Sequence, residues 1–190
     1  MAELRMSAET AAQLNTKSKN GLGVQDLILI AVLLAAGAVL KLTLASVLSF
    51  AGMKPNFVIA MYCLAIILTR PKPYQSLAIG LIAGVMCQIP MLNATPLVNI
   101  PSELLGALVA GLLIYVPMRL GKKADVNPFV TTLLSTIVSG YTFALIVGLM
   151  NGVALPAILV MYAPMVLGTA VFNSVLVQIL VLPLRKVLKR

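Results

Sequence analysis

Three charged side chains lie within or next to strongly apolar sequence, and together they could hold a ligand that carries both charges. They are Lys41, Lys54 and Glu103. An ammonium group binds a carboxylate and a carboxylate binds an ammonium group, so this set suits a zwitterion. Asn56 and Asn99 would add amide donors and acceptors, and Asn99 lies one helical turn before Glu103 on the same face. The predicted chemistry is the binding of a small charged molecule.

Aromatic residues accompany these polar side chains. Phe57, Tyr141 and Tyr162 fall in or near the outer half of the membrane, by the topology that the basic residues predict, and could stack on a flat ring. The chain has no histidine, and it shows no paired carboxylates and no cluster of metal ligands. Acid–base and Lewis-acid catalysis need such groups, so an enzyme is disfavoured. Cys63 and Cys87 both lie in apolar runs, which predicts buried free thiols.

The composition indicates an integral membrane protein. The 190 residues are 61% hydrophobic and only 10% charged, with a mean hydropathy of +1.05. These values lie far outside the range of a soluble domain. The net charge of +9 does not indicate a nucleic-acid partner, because the basic residues cluster at the ends of apolar runs instead of forming a patch with interleaved aromatics.

The apolar runs predict an all-α membrane protein, a compact bundle of six transmembrane helices. Most of these runs have the ~17–25 residues that cross a ~30 Å hydrocarbon core. Residues 1–24 are predicted to form a polar cytoplasmic tail, and residues 25–190 the six-helix substrate-binding domain. The predicted spans are 25–47, 55–69, 73–90, 100–118, 128–150 and 155–184.

The distribution of basic residues predicts that both termini are cytoplasmic. Clusters of Lys and Arg precede the first span, follow the sixth, and lie between spans two and three and between spans four and five. Such clusters mark the cytoplasmic side. Lys41, Lys54 and Glu103 then fall on the outer side, where spans two, four and six begin and their helix dipoles attract a carboxylate. Alternatively, the two lysines could extend to the lipid headgroups, and Glu103 could simply complement a helix dipole.

Small residues form stripes on several spans. The first span carries Ala31, Ala35 and Ala38 on one face, and spans three and four carry glycines at similar spacing. Such stripes allow close helix approach, either within the bundle or against a partner. Asn173 and Gln178 in the sixth span are interpreted as interhelical hydrogen-bonding residues.

These features together resemble a known transporter family. Six spans, cytoplasmic termini and Ala31-x-x-x-Ala35 resemble the substrate-binding S-components of energy-coupling factor (ECF) transporters. The segment Gly52-Met53-Lys54-Pro55-Asn56, with Asn99-Ile100-Pro101, resembles the tryptophan transporter family, which carries an acidic residue where this chain has Asn56.

The resemblance implies a substrate-specific subunit of an ATP-driven uptake transporter. It would bind tryptophan or a related aromatic zwitterion from outside, in the plasma membrane of a prokaryote. The alanine stripe would dock a membrane coupling protein that joins two cytoplasmic ATPases. ATP and Mg would bind to those ATPases, with no cofactor bound by this chain. The sequence contains no Walker motif, in agreement with ATP hydrolysis on other chains.

Other functions fit the same residues. A carboxylate vitamin such as biotin or nicotinate would be served by Lys54 and the helix ends equally well. A standalone proton-coupled transporter would need an intramembrane carboxylate, and Glu103 is the candidate. A purely structural membrane protein would leave the outward charges unexplained.

Overall fold

A computed structural model describes residues 21–47, 56–89, 95–120 and 124–188. The segment 52–55, which includes Lys54, and most of the predicted tail lie outside these described residues. Six α-helices account for most of the described chain, which confirms the predicted six-helix architecture. They are α1 (Val24–Val47), α2 (Phe57–Thr69), α3 (Pro73–Met86), α4 (Asn99–Leu113), α5 (Asn127–Met150) and α6 (Leu155–Val187).

Two small elements occur in the connections that the structure describes. A single 3-10 turn, Pro96–Val98, leads into α4. Two two-residue strands, β1 (Arg119–Leu120) and β2 (Ala124–Asp125), pair antiparallel between α4 and α5, with Arg119 opposite Asp125. The sequence patterns did not predict this ribbon, because two-residue strands carry no detectable periodicity.

The helices differ in length more than the apolar runs suggest. Within the described ranges, four apolar segments are long enough to cross a membrane: Val24–Thr43, Pro96–Leu113, Asn127–Met150 and Leu155–Val187. Helices α2 and α3 have only 13 and 14 residues. At 1.5 Å per residue each rises ~20 Å, which is shorter than the ~30 Å hydrocarbon core.

Burial explains why a short α2 is tolerated. Every residue from Phe57 to Leu68 is buried, and α2 packs against each of the other five helices. A helix that is enclosed by protein does not have to match the bilayer, since its ends are covered by neighbouring chain and not by lipid. Arg70 ends the helix in a left-handed conformation (φ 48°), and Pro71 follows. Helix α2 is therefore the axis of the bundle.

The glycines of α3 and α4 bring these two helices into close contact. A Cβ on Gly80 would lie 2.7 Å from both the Ala107 Cβ and the Glu103 carbonyl oxygen. A Cβ on Gly84 would lie 2.9 Å from the Cα of Ile100. The small residues of these two spans therefore pack inside the bundle, and they set the position of the first turns of α4.

Candidate functional site

Glu103 is the centre of a buried polar cluster at the end of the bundle where α2 and α4 begin. It is 0% exposed. The Asn56 Nδ2 donates a hydrogen bond of 2.6 Å to its Oε1, and the Ser139 Oγ donates one of 3.4 Å to its Oε2. Glu103 lies on α4, Asn56 immediately before α2, and Ser139 on α5. Three separate segments thus supply the carboxylate and its two donors.

The sequence of α4 explains why this carboxylate points inward. Glu103 lies on the same helical face as Gly106, Ala107 and Ala110, all of which are buried. That face is narrow enough to pack closely against α3 and α5, and a carboxylate placed on it is enclosed by these helices. Burying a charge is costly unless it is paired and hydrogen-bonded, which makes an intramembrane carboxylate a functional candidate.

Asn56 joins the cluster to a fourth segment. Its backbone oxygen accepts a hydrogen bond of 3.2 Å from the Asn173 Nδ2 of α6. Its side chain donates to Glu103, so Asn56 connects α4 and α6 at the start of α2. The interpretation of Asn173 as an interhelical hydrogen-bonding residue is confirmed. The same interpretation is confirmed for Gln178 on α6, whose side-chain oxygen accepts a hydrogen bond of 3.0 Å from the Phe129 N–H of α5.

Several polar atoms of this region are buried without a hydrogen-bond partner among the described residues. They are Asn56 Oδ1, Tyr62 Oη, Thr136 Oγ1 and Asn173 Oδ1. Each such group costs ~1–3 kcal/mol when it is left unsatisfied. Two of them are amide oxygens on residues that hold the cluster together. A ligand that brings N–H donors to these oxygens would recover part of this free energy.

Tyr62 completes the wall of the cluster. Its phenol group lies beside Glu103 and Ser135 without forming a hydrogen bond of acceptable geometry. The phenol oxygen also lies against the backbone of Gly106, at the place where a Cβ would stand. Helix α2 can therefore carry a tyrosine here only because α4 has glycine at position 106.

Lys41 is buried near the same carboxylate. It is only 5% exposed, its ammonium group lies 3.7 Å from the Cys87 Sγ, and it interacts electrostatically with Glu103. The placement argues against a role for Lys41 as an anchor in the lipid headgroups. The predicted partner cation, Lys54, lies outside the described residues. Cys63 and Cys87 are both buried and free, as predicted.

The predicted aromatic residues do not all join the cluster. Phe57, next to Asn56, is buried and packs edge-to-face on Phe172, with ring centroids 5.5 Å apart at 78°. The Tyr141 hydroxyl donates instead to the Leu159 carbonyl at 3.4 Å. Tyr162 is half-buried on α6, and no contact recorded within the described ranges connects it to Glu103.

Asn99 is buried at the entrance to α4. Its Nδ2 donates to the carbonyls of Thr95 (3.4 Å) and Pro96 (3.1 Å), and the Ser102 hydroxyl donates to its backbone oxygen. These contacts fold the connecting turn onto the helix start. The Asn99 amide thereby positions the first turn of α4, and Glu103 follows Asn99 by one turn.

Sequence reasoning did not select Tyr62, Ser139 or Ser135 for the site. Tyr62 lies in a helix that is otherwise apolar, so it was indistinguishable from a core residue. Thr131, Ser135 and Ser139 follow one another at intervals of four residues on α5, and all three are buried. That hydroxyl stripe was the signal that could have located this face of α5.

The alanine stripe of α1 has a different environment from the other small residues. Ala31 and Ala35 are exposed and Ala38 is half-buried, whereas Gly37 lies on the opposite side, packed on Met61 and Val58 of α2. The outer face of α1 thus combines small alanines with apolar neighbours and is open to lipid or to a partner.

Comparison with known proteins identifies one family. The family described as the tryptophan transporter TrpP matches residues 23–189, almost the whole described bundle. No curated protein and no solved structure gives a significant match. Among the described residues, no three Asp, Glu, Cys or His side chains come together to hold a metal ion.

Proposed function

Because this chain belongs to the tryptophan transporter TrpP family, we propose that it is the substrate-binding membrane subunit of an uptake system and that its substrate is tryptophan. The observation that carries the proposal is the buried Glu103 carboxylate, which accepts a hydrogen bond from the Asn56 amide. Within the described parts of the chain, the side-chain oxygens of Asn56 and of the neighbouring Asn173 have no hydrogen-bond partner. A purely structural cluster would be expected to satisfy its own hydrogen bonds.

The α-ammonium group of the substrate fits the acidic part of this cluster. An ammonium group offers three N–H donors and no acceptor. Glu103 supplies a charged acceptor, and the vacant Oδ1 atoms of Asn56 and Asn173 supply neutral ones. In this arrangement the substrate satisfies buried oxygens that have no hydrogen-bond partner among the described residues.

The carboxylate of the substrate would be bound by the cationic part. Lys41 is already buried close enough to interact with Glu103, and Lys54 precedes Asn56 by two residues. The N-terminal ends of α2 and α4 add favourable partial charges. Phe57, whose ring is held by Phe172, would offer an aromatic surface for the indole.

Uptake would require partner proteins. We propose that the substrate enters from outside and that an ECF coupling protein docks on Ala31 and Ala35, both exposed on α1. Two cytoplasmic ATPases would bind the ATP and Mg that drive transport. The protein would then reside in the plasma membrane of a prokaryote.

The binding site can be tested directly because the chain contains no tryptophan of its own. Bound tryptophan can therefore be followed by its fluorescence on the purified protein. We expect Glu103→Gln to weaken tryptophan binding roughly 10- to 100-fold, since one charge-assisted hydrogen bond is worth ~1.5–3 kcal/mol. The exposed Lys72→Gln variant, which changes a charge outside the cluster, should bind like the native protein.

Substrate analogues locate each half of the site. Indole-3-propionate lacks the ammonium group, so the Glu103→Gln substitution should change its affinity far less than that of tryptophan. Tryptamine lacks the carboxylate, so Lys41→Met should affect it less than tryptophan. If Glu103→Gln lowered the affinity for all three ligands equally, the assignment of Glu103 to the ammonium group would be contradicted.

The docking proposal has a separate readout. Ala35→Trp should abolish uptake in cells or vesicles that contain the coupling complex, while binding to the purified protein is retained. Loss of binding as well would show that the α1 stripe is part of the bundle interior.

A standalone proton-coupled transporter is the second candidate, and the burial of Glu103 favours it as well. Proteoliposomes that contain this chain alone distinguish the two mechanisms. Accumulation of tryptophan under a proton gradient, without any ATPase, would replace the ATP-driven proposal. Tryptophan binding without accumulation is the result expected here.

A further inference from the structure

A second polar site lies at the opposite ends of α2 and α4. It is a cavity of about 370 Å³ between the end of α2, the end of α4, the β-ribbon and the last turns of α6. Its floor is apolar and includes Ile67 and Ile114, both buried. Its rim carries Arg70, Arg119 and Arg185. The substrate cluster around Glu103 shares none of these residues.

The rim has an excess of positive charge. Three arginines face one carboxylate, Asp125, which forms an ion pair of 3.0 Å with Arg185. The lining therefore retains a net charge of about +2 by the usual side-chain charges. Guanidinium groups recognise phosphate better than ammonium groups do, because their planar N–H donors match two oxygens at once.

Arg70 is held in place for such a role. Its Nη2 donates to the Ile114 carbonyl at 3.1 Å, and its guanidinium lies 5.8 Å from the Tyr115 ring centroid. The Tyr115 hydroxyl donates in turn to the Pro71 carbonyl at 3.0 Å. A guanidinium ordered by one carbonyl and one ring loses little entropy on binding a ligand, and most of its five N–H donors remain available.

The surface beside the cavity is apolar. Leu112 in the last turn of α4 is large and exposed, as are Tyr115 and Val116 just after the helix, which themselves line the cavity. The same end of the bundle is the one that the Lys and Arg clusters predict to be cytoplasmic. Arginines directly beside exposed apolar residues match a molecule whose anionic group is joined to acyl chains.

We propose that this cavity binds the phosphate group of an anionic phospholipid, such as phosphatidylglycerol, from the cytoplasmic leaflet. Arg70 and Arg119 contact the phosphate, and the acyl chains lie along the apolar end of α4. Free inorganic phosphate has the same charged group but gains nothing from Leu112 and Val116. Basic pockets between helices at the cytoplasmic face are suited to such headgroups.

Native mass spectrometry of the delipidated protein tests the proposal. Phosphatidylglycerol should be retained in preference to phosphatidylcholine, which has the same chains and phosphate but no net charge. Arg119→Gln should lower the apparent phosphatidylglycerol affinity about fivefold, because each basic residue near the membrane surface contributes about that factor. Arg119 is exposed, so its replacement should leave the fold intact.

Matched controls separate a built site from general attraction to a basic surface. Lys72→Gln lies two residues from Arg70, and Lys186→Gln one residue from Arg185, yet neither lysine lines the cavity. Both should bind phosphatidylglycerol like the native protein. Arg70→Lys keeps the charge and removes the guanidinium fork, and we expect it to weaken binding as well.

Three results would overturn the proposal. Equal retention of the two lipids would remove the requirement for an anion. An equal loss in the Lys72→Gln control would show charge attraction without a site. If millimolar inorganic phosphate displaced phosphatidylglycerol and raised the unfolding temperature as much as the lipid does, free phosphate would be the ligand instead of the lipid.

Discussion

The two ends of α2 hold charged groups in contrasting ways. At the start of α2, Glu103 and Lys41 are buried, and the hydrogen bonds to the carboxylate come from Asn56, just before α2, and from Ser139 on α5. At its end, Arg70, Arg119 and Arg185 surround an open cavity. Water and salt screen charges at an open rim, whereas a buried charge depends entirely on its protein partners. Substitutions should therefore have large effects at the first end and small ones at the second.

The largest effect is expected where packing and the polar cluster coincide. Gly106→Ala places a Cβ against the Tyr62 phenol oxygen and 2.9 Å from the Ser139 Cβ. Overpacking of this kind costs ~1–3 kcal/mol, so the variant should unfold at a lower temperature and bind tryptophan weakly. Thermal unfolding in detergent, with and without tryptophan, measures both effects.

Two variants control this prediction. Gly168→Ala on α6 should be neutral, since a Cβ there meets no atom within 4 Å. Adding Tyr62→Phe to Gly106→Ala removes the obstructing oxygen and should restore part of the stability. If Gly106→Ala were as stable as Gly168→Ala, the close contact between α2 and α4 would be wrong.

A comparable loss of stability, caused by charge instead of volume, is expected for Asn56→Asp, which introduces the acidic residue of the family pattern. The Asn56 Nδ2 donates to Glu103, and an ionised aspartate cannot. The variant also places two carboxylates side by side. We expect unfolding at neutral pH to become easier by ~1–3 kcal/mol.

The matched change for this prediction is Asn151→Asp. Asn151 is exposed just after α5, and its side chain donates a hydrogen bond to its own helix, at the Val147 carbonyl. The unfolding midpoint of the Asn151→Asp variant should be close to that of the native protein. A midpoint for Asn56→Asp that equals this control would show that the Asn56–Glu103 hydrogen bond contributes nothing.

The smallest effect is expected at the arginine cavity. Asp125→Asn removes the exposed ion pair with Arg185, and such pairs contribute ~0–1 kcal/mol. The unfolding temperature should hardly change, and tryptophan binding should be that of the native protein. A loss of more than ~2 kcal/mol would remove the contrast between the two ends of α2.

Sequence patterns were most informative where they reflect local chemistry. The number of helices and their approximate positions follow from apolar length, and the α3 and α6 boundaries match to within a few residues. The selection of Glu103 and Asn56 needed only their unusual chemistry in an apolar context. The hydrogen bond between them could not be derived, because 47 residues separate the two positions.

Other features depend on neighbours that a pattern does not identify. Lys41 could have pointed to the headgroups, and its burial beside Cys87 depends on how α1 packs on the bundle. Tyr141 and Tyr162 are predicted from the sequence to lie in the same half of the membrane as Glu103, but the Tyr141 hydroxyl donates to the α6 backbone. Side-chain direction within a bundle is set by packing, which spacing alone does not specify.

The sequence by itself determined a six-helix membrane protein with a few costly charges in an apolar chain, because hydrophobic length and the cost of burying charge are properties of short segments. Only the tertiary structure decided that α2 is a short, fully enclosed axis, and that Asn56, Glu103, Ser139 and Asn173 meet at its start. The physical reason is that these contacts join residues up to 117 positions apart, through helix packing that glycines permit and that no local pattern encodes.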